Sequence, residues 1–230
     1  MDGFARDRRE QRLLQVYDET ELLTPQRYNL ILCGTVLWGM VINFILCLTI
    51  GNVFRYIDPL LFYVGYFVCC IVGILMSAKS KNPTVSFIGY NLIVVPIGLV
   101  ISTSVEVYGG IGSEVVTGAF LITMCVTAAM TAFSFYKPEM CRRFGPILFP
   151  CLCGLIVAEI IMLIFNINSG ILSWISAVLF SLYIAYDVYR SQQFACTVDN
   201  AVDCAVDIYL DIANLFLDIL RILGSSKRRK

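Results

Sequence analysis

The chain has 230 residues, of which 58% are hydrophobic and 15% are charged, and its mean hydropathy is +0.78. This composition excludes an ordinary soluble domain and is typical of an integral membrane protein, while the formal net charge of zero does not favour nucleic acid as a partner. There is no histidine, so neither an imidazole base nor the commonest metal ligand is present, and proton chemistry has to use carboxylates.

The two ends of the chain are polar. Residues 1–28 are rich in charge and lack the small-residue cleavage site of a signal peptide. They predict a cytosolic N-terminal tail with a short amphipathic helix. Residues 225–230, "SSKRRK", are a basic C-terminal tail, and residues 29–224 between the tails are expected to form one transmembrane domain.

Seven apolar runs in this domain are long enough to cross a bilayer, which takes about 20 helical residues. They are separated by polar, turn-forming segments such as "KPEMCRRFGP" (137–146). Because backbone groups in lipid must be satisfied within their own segment, and the runs are too long for barrel strands, each run predicts a helix. The predicted helices cover about 30–50, 60–78, 84–103, 114–136, 147–166, 170–190 and 205–223.

The distribution of lysine and arginine predicts the orientation. With the N-terminus in the cytosol, the inner segments contain the basic residues of 6–27, 79–81 and 137–143 together with Arg190, and the outer loops contain only Arg55. We therefore expect a multi-pass protein of the plasma membrane, or of the inner membrane in a bacterium. Seven crossings would leave the basic tail outside, against the same rule, so the last helix either crosses fully or re-enters and returns.

The last run, "DIYLDIANLFLDILR" (207–221), contains polar residues on one side only. At about 100° per residue they fall within an arc of about 80°, and the remaining surface is apolar. A charge at bilayer depth costs about 2.5–3.5 kcal/mol on insertion scales, so this acidic stripe should face protein or a water-filled cavity. A helix lying flat on the membrane is the alternative, but such helices usually carry basic residues. The stripe consists of Asp207, Asp211, Asn214, Asp218 and Arg221.

Pairing within the chain can explain part of this stripe. Asp218 and Arg221 are spaced i, i+3, and Asp207 can simply be solvated near the start of the helix. Asp211 is different, because it lies about two turns inside the run and has no cation at i±3 or i±4. Glu159, near the middle of the fifth run, is the other acid at membrane depth and a further candidate for function.

The depth of the sixth and seventh helices predicts a partner for Asp211. The sixth helix ends near Arg190 on the cytosolic side, and the seventh starts on that side, so Asp187 and Asp211 should lie level with each other. Two carboxylates in a poorly hydrated site do not both ionise readily, so a proton tends to be shared between them. The two acids therefore predict a pH-sensitive latch. The alternative for Asp187 is an i, i+3 ion pair with Arg190.

The segment "SLYIAYDVYRSQ", followed after a short linker by "DIYLDIANLFLDILRILG", resembles the signature of the transmembrane Bax-inhibitor-motif family. The "KNP…FIGYNLI" opening of the third helix and the seven-span layout resemble it too, and the similarity covers about residues 28–224. The resemblance implies an all-α integral membrane fold with seven transmembrane helices, six of them surrounding a central C-terminal seventh. It also implies that Asp187 and Asp211 are an aspartate pair.

Members of the calcium-leak branch are associated with pH-sensitive calcium leak, in which a shared proton holds the closed form and deprotonation favours opening. Other members are described as regulators of cell death or of a membrane protease. The calcium-leak type carries an arginine near the cytosolic end of the second helix and an acid earlier in it. Here the corresponding stretch "FYVGYFVCCIVGILMSAKSK" has no acid, and Lys79 is its nearest cation. Glu159 is our candidate for the missing acid.

These observations predict a passive calcium leak channel, because calcium prefers oxygen ligands and the stripe concentrates oxygens at membrane depth. We expect membrane lipid and calcium, as the permeating ion, to be its partners, with no tightly bound cofactor. The alternative is a non-transporting regulator that binds another membrane protein. An intramembrane protease is not expected, since no "GxGD" string is present. The predicted residues are Asp187 and Asp211 as gate and calcium contacts, Asp218, Glu159, Asp207 and Asn214 along the ion path, and Arg190 and Arg221 as associated cations.

Overall fold

A computed structural model describes residues 22–79, 82–165 and 170–228. The amphipathic helix predicted in the N-terminal tail lies outside these residues. The described part contains seven α-helices, and no strand is present in it. They are α1 (Pro25–Thr49), α2 (Pro59–Lys79), α3 (Pro83–Val107), α4 (Glu114–Tyr136), α5 (Pro138–Ile164), α6 (Gly170–Ser191) and α7 (Val198–Arg228), with a short 3-10 helix at Val53–Arg55.

Short polar side chains define where several helices start. Thr24 caps α1 by accepting a hydrogen bond from the Arg27 backbone N–H at 3.4 Å. Asn82 caps α3 in the same way. A proline follows each of these caps. Proline has no backbone N–H, and in the first turn of a helix that N–H would have no partner within the helix. After α3 the chain reverses through Gly109 and Gly110, whose φ values of 100° and 79° are strained for other residues.

Six of the seven helices, α1 to α6, are long and apolar enough to cross a membrane. The 31-residue α7 contains five aspartates and does not meet the same criterion. It is nevertheless one continuous helix of about 46 Å. Gly224 near its end packs against the ring of Tyr108, just after α3. Helix α7 therefore runs the length of the bundle without the break that a re-entrant segment would need.

The larger buried core cluster combines residues of α1, α3, α4, α6 and α7. Helix α7 packs against α1, α3, α4 and α6, whereas α2 packs on α3 and α5 packs chiefly on α6. The most deeply buried side chains of this core include Tyr28, Tyr90, Ile184, Tyr209 and Leu220. The predicted all-α class is confirmed, and the ring of six helices around a central seventh stays a prediction.

Helix α1 approaches α3 and α7 closely at a glycine. A Cβ atom on Gly39 would overlap the hydroxyl of Tyr90 and lie 2.9 Å from the ring of Tyr209. One turn further along α1, the Asn43 amide Nδ2 donates to the Tyr209 hydroxyl at 2.9 Å. Small residues and buried polar groups are the usual means by which membrane helices associate. This contact fixes the face of α7 opposite the acidic stripe.

Two predicted helix boundaries are wrong. Residues 137–146 were predicted as a turn, but α5 already begins at Pro138, which a first helical turn accommodates, and it continues through Pro146. Helix α7 begins at Val198 rather than near residue 205. Its cap is Thr197, whose Oγ1 accepts a hydrogen bond from the Asn200 N–H at 3.2 Å. Both starts are polar, so a search for apolar runs places them too late.

Candidate functional site

A cavity of about 500 Å³ lies between α5, α6 and α7. Its α5 wall is apolar at Phe149, Leu152 and Ile156 and also contains Glu159, and the opposite wall carries the acidic stripe of α7. The structure therefore brings together residues that three helices contribute. All eight predicted residues line it: Glu159, Asp187, Arg190, Asp207, Asp211, Asn214, Asp218 and Arg221.

Asp187 of α6 and Asp211 of α7 meet in the wall of this cavity. Each is 6% exposed, and the two carboxyl groups lie close enough to interact. Asp211 Oδ2 is buried, and no donor group of the described residues reaches it. An ionised carboxylate can only accept hydrogen bonds, so a carboxyl that keeps its proton and donates it to the other satisfies the pair. The two acids line the same cavity, and their role as a gate stays a prediction.

Arg190 links the acid pair to Asp207. Its Nη1 lies 3.4 Å from Asp187 Oδ1, and its Nη2 donates to Asp207 Oδ2. Its guanidinium also stacks over the Tyr186 ring at 5.8 Å. The i, i+3 ion pair considered for Asp187 is therefore present alongside the contact with Asp211. Asp207 does not lie at a helix start, because α7 begins at Val198. Its side chain is 41% exposed and is paired with Arg190 across helices.

A second polar group occupies the other half of the cavity. The Ser176 hydroxyl of α6 donates to Asp218 Oδ2. Arg221 Nη1 lies 3.6 Å from Asp218 Oδ1, the pairing expected from their i, i+3 spacing, and 4.0 Å from Glu159 Oε1. The Glu159 side chain is 48% exposed, so this last ion pair is weak. Asn214 lines the cavity between the two groups.

The described residues contain no group of three or more histidine, cysteine or acidic side chains arranged to hold a metal ion. Calcium takes about six to eight oxygen ligands, more than two carboxylates can supply. The predicted calcium contacts of Asp187 and Asp211 remain a prediction.

Two polar cavity residues on α6, Ser176 and Tyr183, were not predicted from the sequence. They precede Asp187 by eleven and four residues, which places all three on one face of a helix. The spacing of these three residues along α6 can be read from the sequence. It was overlooked because serine and tyrosine in an apolar run do not stand out as charges do.

Two further aspartates near the start of α7 also escaped the sequence analysis. The Ser77 hydroxyl at the end of α2 donates to Asp203 Oδ1. The Ser86 hydroxyl in the first turn of α3 donates to Asp199 Oδ1 at 2.7 Å. These two serines hold the first turns of α7 against the α2–α3 hairpin.

Comparison with known proteins adds independent information. A family model described as "Inhibitor of apoptosis-promoting Bax1" matches residues 24–228. A BI1-like protein of Arabidopsis thaliana is 32% identical over 168 residues, which are 68% of this chain and 63% of the plant protein. Protein lifeguard 4 of Mus musculus is 30% identical over 113 residues, 48% of this chain and 47% of the mouse protein.

A bacterial relative is also described as a membrane protein. A membrane protein of Streptococcus pyogenes is 28% identical over 178 residues, which are 73% of this chain and 76% of that protein. This chain spans less than two thirds of the length of the plant and mouse relatives. Together with the six apolar helices, the comparisons identify an integral multi-pass membrane protein.

Proposed function

The chain belongs to the Bax inhibitor family, and we propose that it is a passive, pH-sensitive calcium leak pathway of the plasma membrane, with its N-terminus in the cytosol. The observation that carries the proposal is the buried contact between Asp187 and Asp211 in the wall of a cavity that contains the whole acidic stripe. We also propose that α7 is the axis of the pathway and that the protein is not an enzyme.

The charges of the cavity explain how a proton would control it. With one proton shared, the acid pair carries a single negative charge, and Arg190 balances either that charge or the charge of Asp207. Loss of the proton adds a second negative charge to a poorly hydrated site, where repulsion between the carboxylates is strong. The carboxylates then separate, and a divalent cation can compensate both of them. Flux should therefore rise with pH.

Protons and calcium would compete for the same oxygens in this mechanism. Thermodynamic linkage then requires that each lowers the affinity of the site for the other. Raising the calcium concentration should move the pH midpoint of flux to lower pH.

The test is calcium flux as a function of pH through purified protein in liposomes. Flux through the native protein should rise with pH. Asp187→Asn and Asp211→Asn should each flatten that dependence, because a single remaining carboxyl group has no second carboxylate with which to share a proton. Asp58→Asn is the matched control: Asp58 caps α2 outside the cavity, and asparagine caps equally well. Calcium leak with an unchanged pH profile in both cavity variants would refute the latch.

One observation favours the alternative, a regulator that binds another membrane protein without transporting ions. Asp187 is paired with Arg190, and Asp218 with Ser176, so much of the stripe is satisfied as structural polar groups would be. The same liposomes separate the two functions. Absence of flux at every pH, together with a membrane protein that co-purifies in stoichiometric amount, would favour the regulator.

A further inference from the structure

The segment that leads into α1 is bonded to the connection between α6 and α7. The backbone N–H of Leu23 donates to Cys196 O at 2.6 Å. The Gln192 amide Nε2 donates to Asn29 Oδ1 at 2.9 Å. We call residues 23–29 the strap. It crosses the linker that joins the two helices carrying the acid pair.

Tyr28 is the buried centre of the strap. It is 1% exposed, and its hydroxyl donates to Ser191 O at 2.9 Å. The same hydroxyl oxygen lies 3.6 Å from Cys204 Sγ. Ser191 is the last residue of α6, and Cys204 lies in the second turn of α7. One side chain of α1 thus touches both acid-bearing helices.

The bond to Ser191 completes the end of α6. The last four carbonyls of a helix have no partner inside it. In α6 the carbonyls of Val188, Tyr189 and Arg190 accept from residues 191–193 just beyond them in the chain. For Ser191 O the donor comes from α1 instead. Without the Tyr28 hydroxyl, Ser191 O loses the donor that ties it to α1.

This tie lies next to the acid pair. Ser191 directly follows Arg190, which binds Asp187 and Asp207. Cys204 precedes Asp207 by three residues, about one helical turn. A change in the spacing of α6 and α7 at Tyr28 therefore reaches the ion pair first and the contact between Asp187 and Asp211 one turn later.

We propose that Tyr28 is a positioning residue for the acid pair: its hydroxyl holds the end of α6 against the start of α7, and the strap thereby sets the pH at which Asp187 and Asp211 exchange their proton. This inference rests on the proposed function. The ionisable groups that face the pair, besides its own members, are Tyr183, Tyr186 and Arg190 of α6, Cys204 and Asp207 of α7, and Cys153 and Glu159 of α5. A change at Tyr28 replaces none of these side chains, although it removes a contact of one of them, Cys204.

The experiment compares two tyrosine variants. Tyr28→Phe removes the hydroxyl and keeps the ring. Tyr90→Phe is the matched control, since Tyr90 is equally buried and donates to Thr35 O at 2.8 Å, between α3 and α1 and away from the acid pair. Both variants lose one buried hydrogen bond to a backbone carbonyl, and only the first loosens the α6–α7 connection.

The primary readout is the pH midpoint of the infrared band of protonated carboxyl groups in purified protein, assigned by its loss in Asp211→Asn. Separated carboxylates share a proton less well, so Tyr28→Phe should move the midpoint to lower pH by about half a unit, the shift that part of one lost hydrogen bond corresponds to. Tyr90→Phe should leave it unchanged. If Tyr28→Phe fails to fold, Gln192→Ala removes an exposed strap contact and should shift the midpoint in the same direction.

An unchanged midpoint in Tyr28→Phe, or an equal shift in both tyrosine variants, would overturn the role of the strap. Calcium flux measured on the same proteins keeps the two proposals separate. If the infrared band titrates and shifts as expected while no variant conducts calcium, the leak proposal fails and the positioning role stands. If flux follows pH in native protein and Tyr28→Phe alters neither readout, the positioning role fails and the leak proposal stands.

Discussion

Arg190 determines how much negative charge the acid pair presents to the cavity. It is the one cation within reach of Asp187 among the described residues, and it is shared with Asp207. The ion pair is partly buried, which makes it stronger than a surface pair and more damaging to break. An arginine in this position also lets an acid stay ionised below the membrane surface, so the latch depends on a residue that does not itself titrate.

Replacing Arg190 with glutamine should shift the proton affinity of the pair upwards. Without the guanidinium, both carboxylates hold a proton more tightly, and the pH midpoint of calcium flux should move to higher pH by about one unit or more. Tyr28→Phe is expected to move it the other way, so the two variants test opposite signs.

The matched control for this variant is Arg55→Gln. Arg55 forms an exposed ion pair with Glu106 at 3.0 Å, outside the cavity, and its loss should leave the flux midpoint in place. A midpoint that falls or stays constant in Arg190→Gln would contradict the assigned role of the guanidinium. Flux against pH in liposomes is again the measurement.

The acid pair was predictable from the sequence, whereas the ion pair between Arg190 and Asp207 was not. Depth along two antiparallel helices follows from where the runs end, and that sufficed for Asp187 and Asp211. Which side chain an arginine reaches across helices depends on helix rotation and on the true start of α7. Because the start was placed near residue 205 instead of at Val198, Asp207 was assigned to a solvated helix end.

At the scale of helices, the contact of α1 with α3 and α7 depends on one missing Cβ. Gly39→Ala would drive a methyl group into the hydroxyl of Tyr90 and the ring of Tyr209. We expect a loss of stability of about 1–3 kcal/mol, as for other overpacked cores. Thermal unfolding of the protein in detergent would measure it.

A second glycine of the same helix provides the control. A Cβ on Gly34 would meet nothing within 4 Å. Gly34→Ala should therefore leave stability unchanged or raise it by up to about 1 kcal/mol, because alanine is the better helix former. Equal destabilisation by both alanine variants would mean that the close approach at Gly39 is not what limits stability.

Helix bounds were predicted best where the sequence changes between apolar and polar residues at both ends of the helix. Helix α4 has the predicted bounds, 114–136, since Ser113 caps it and Lys137 ends it. The starts of α5 and α7 were missed because polar residues continue a helix beyond the bilayer when caps and tertiary contacts support it. Hydropathy reports the environment of a helix, and an extension outside the bilayer has a different environment.

At the scale of the whole molecule, the contacts of the strap agree with an even number of membrane crossings between the start of α1 and the end of α6. Six membrane-spanning helices place the start of α1 and the end of α6 on the same side, and Tyr28 binds Ser191 there. Helix α7 then leads to the opposite end, where Gly224 meets Tyr108. This arrangement predicts that the two ends of α7 face different compartments.

Cysteine labelling of intact cells tests this prediction. In a background without the native cysteines, Gln192→Cys should react only after the membrane is permeabilised, and Ser226→Cys should react directly. Both positions are exposed on the protein surface, so access depends on the membrane alone. Labelling of both from the same side would exclude a crossing by α7 and with it the proposed pathway.

Burial of α3 against α7 has a consequence for biosynthesis. The ribosome makes α7 after the six helices before it, yet Tyr90, Ile93 and Val94 of α3 find their packing partners in a core that includes α7. We therefore expect the earlier helices to enter the bilayer before these partners are available, and Val198–Arg228 to pack against them afterwards. A nascent chain stalled before Val198 should remain a substrate for membrane quality control, because its helices can insert but lack the packing partners that α7 supplies.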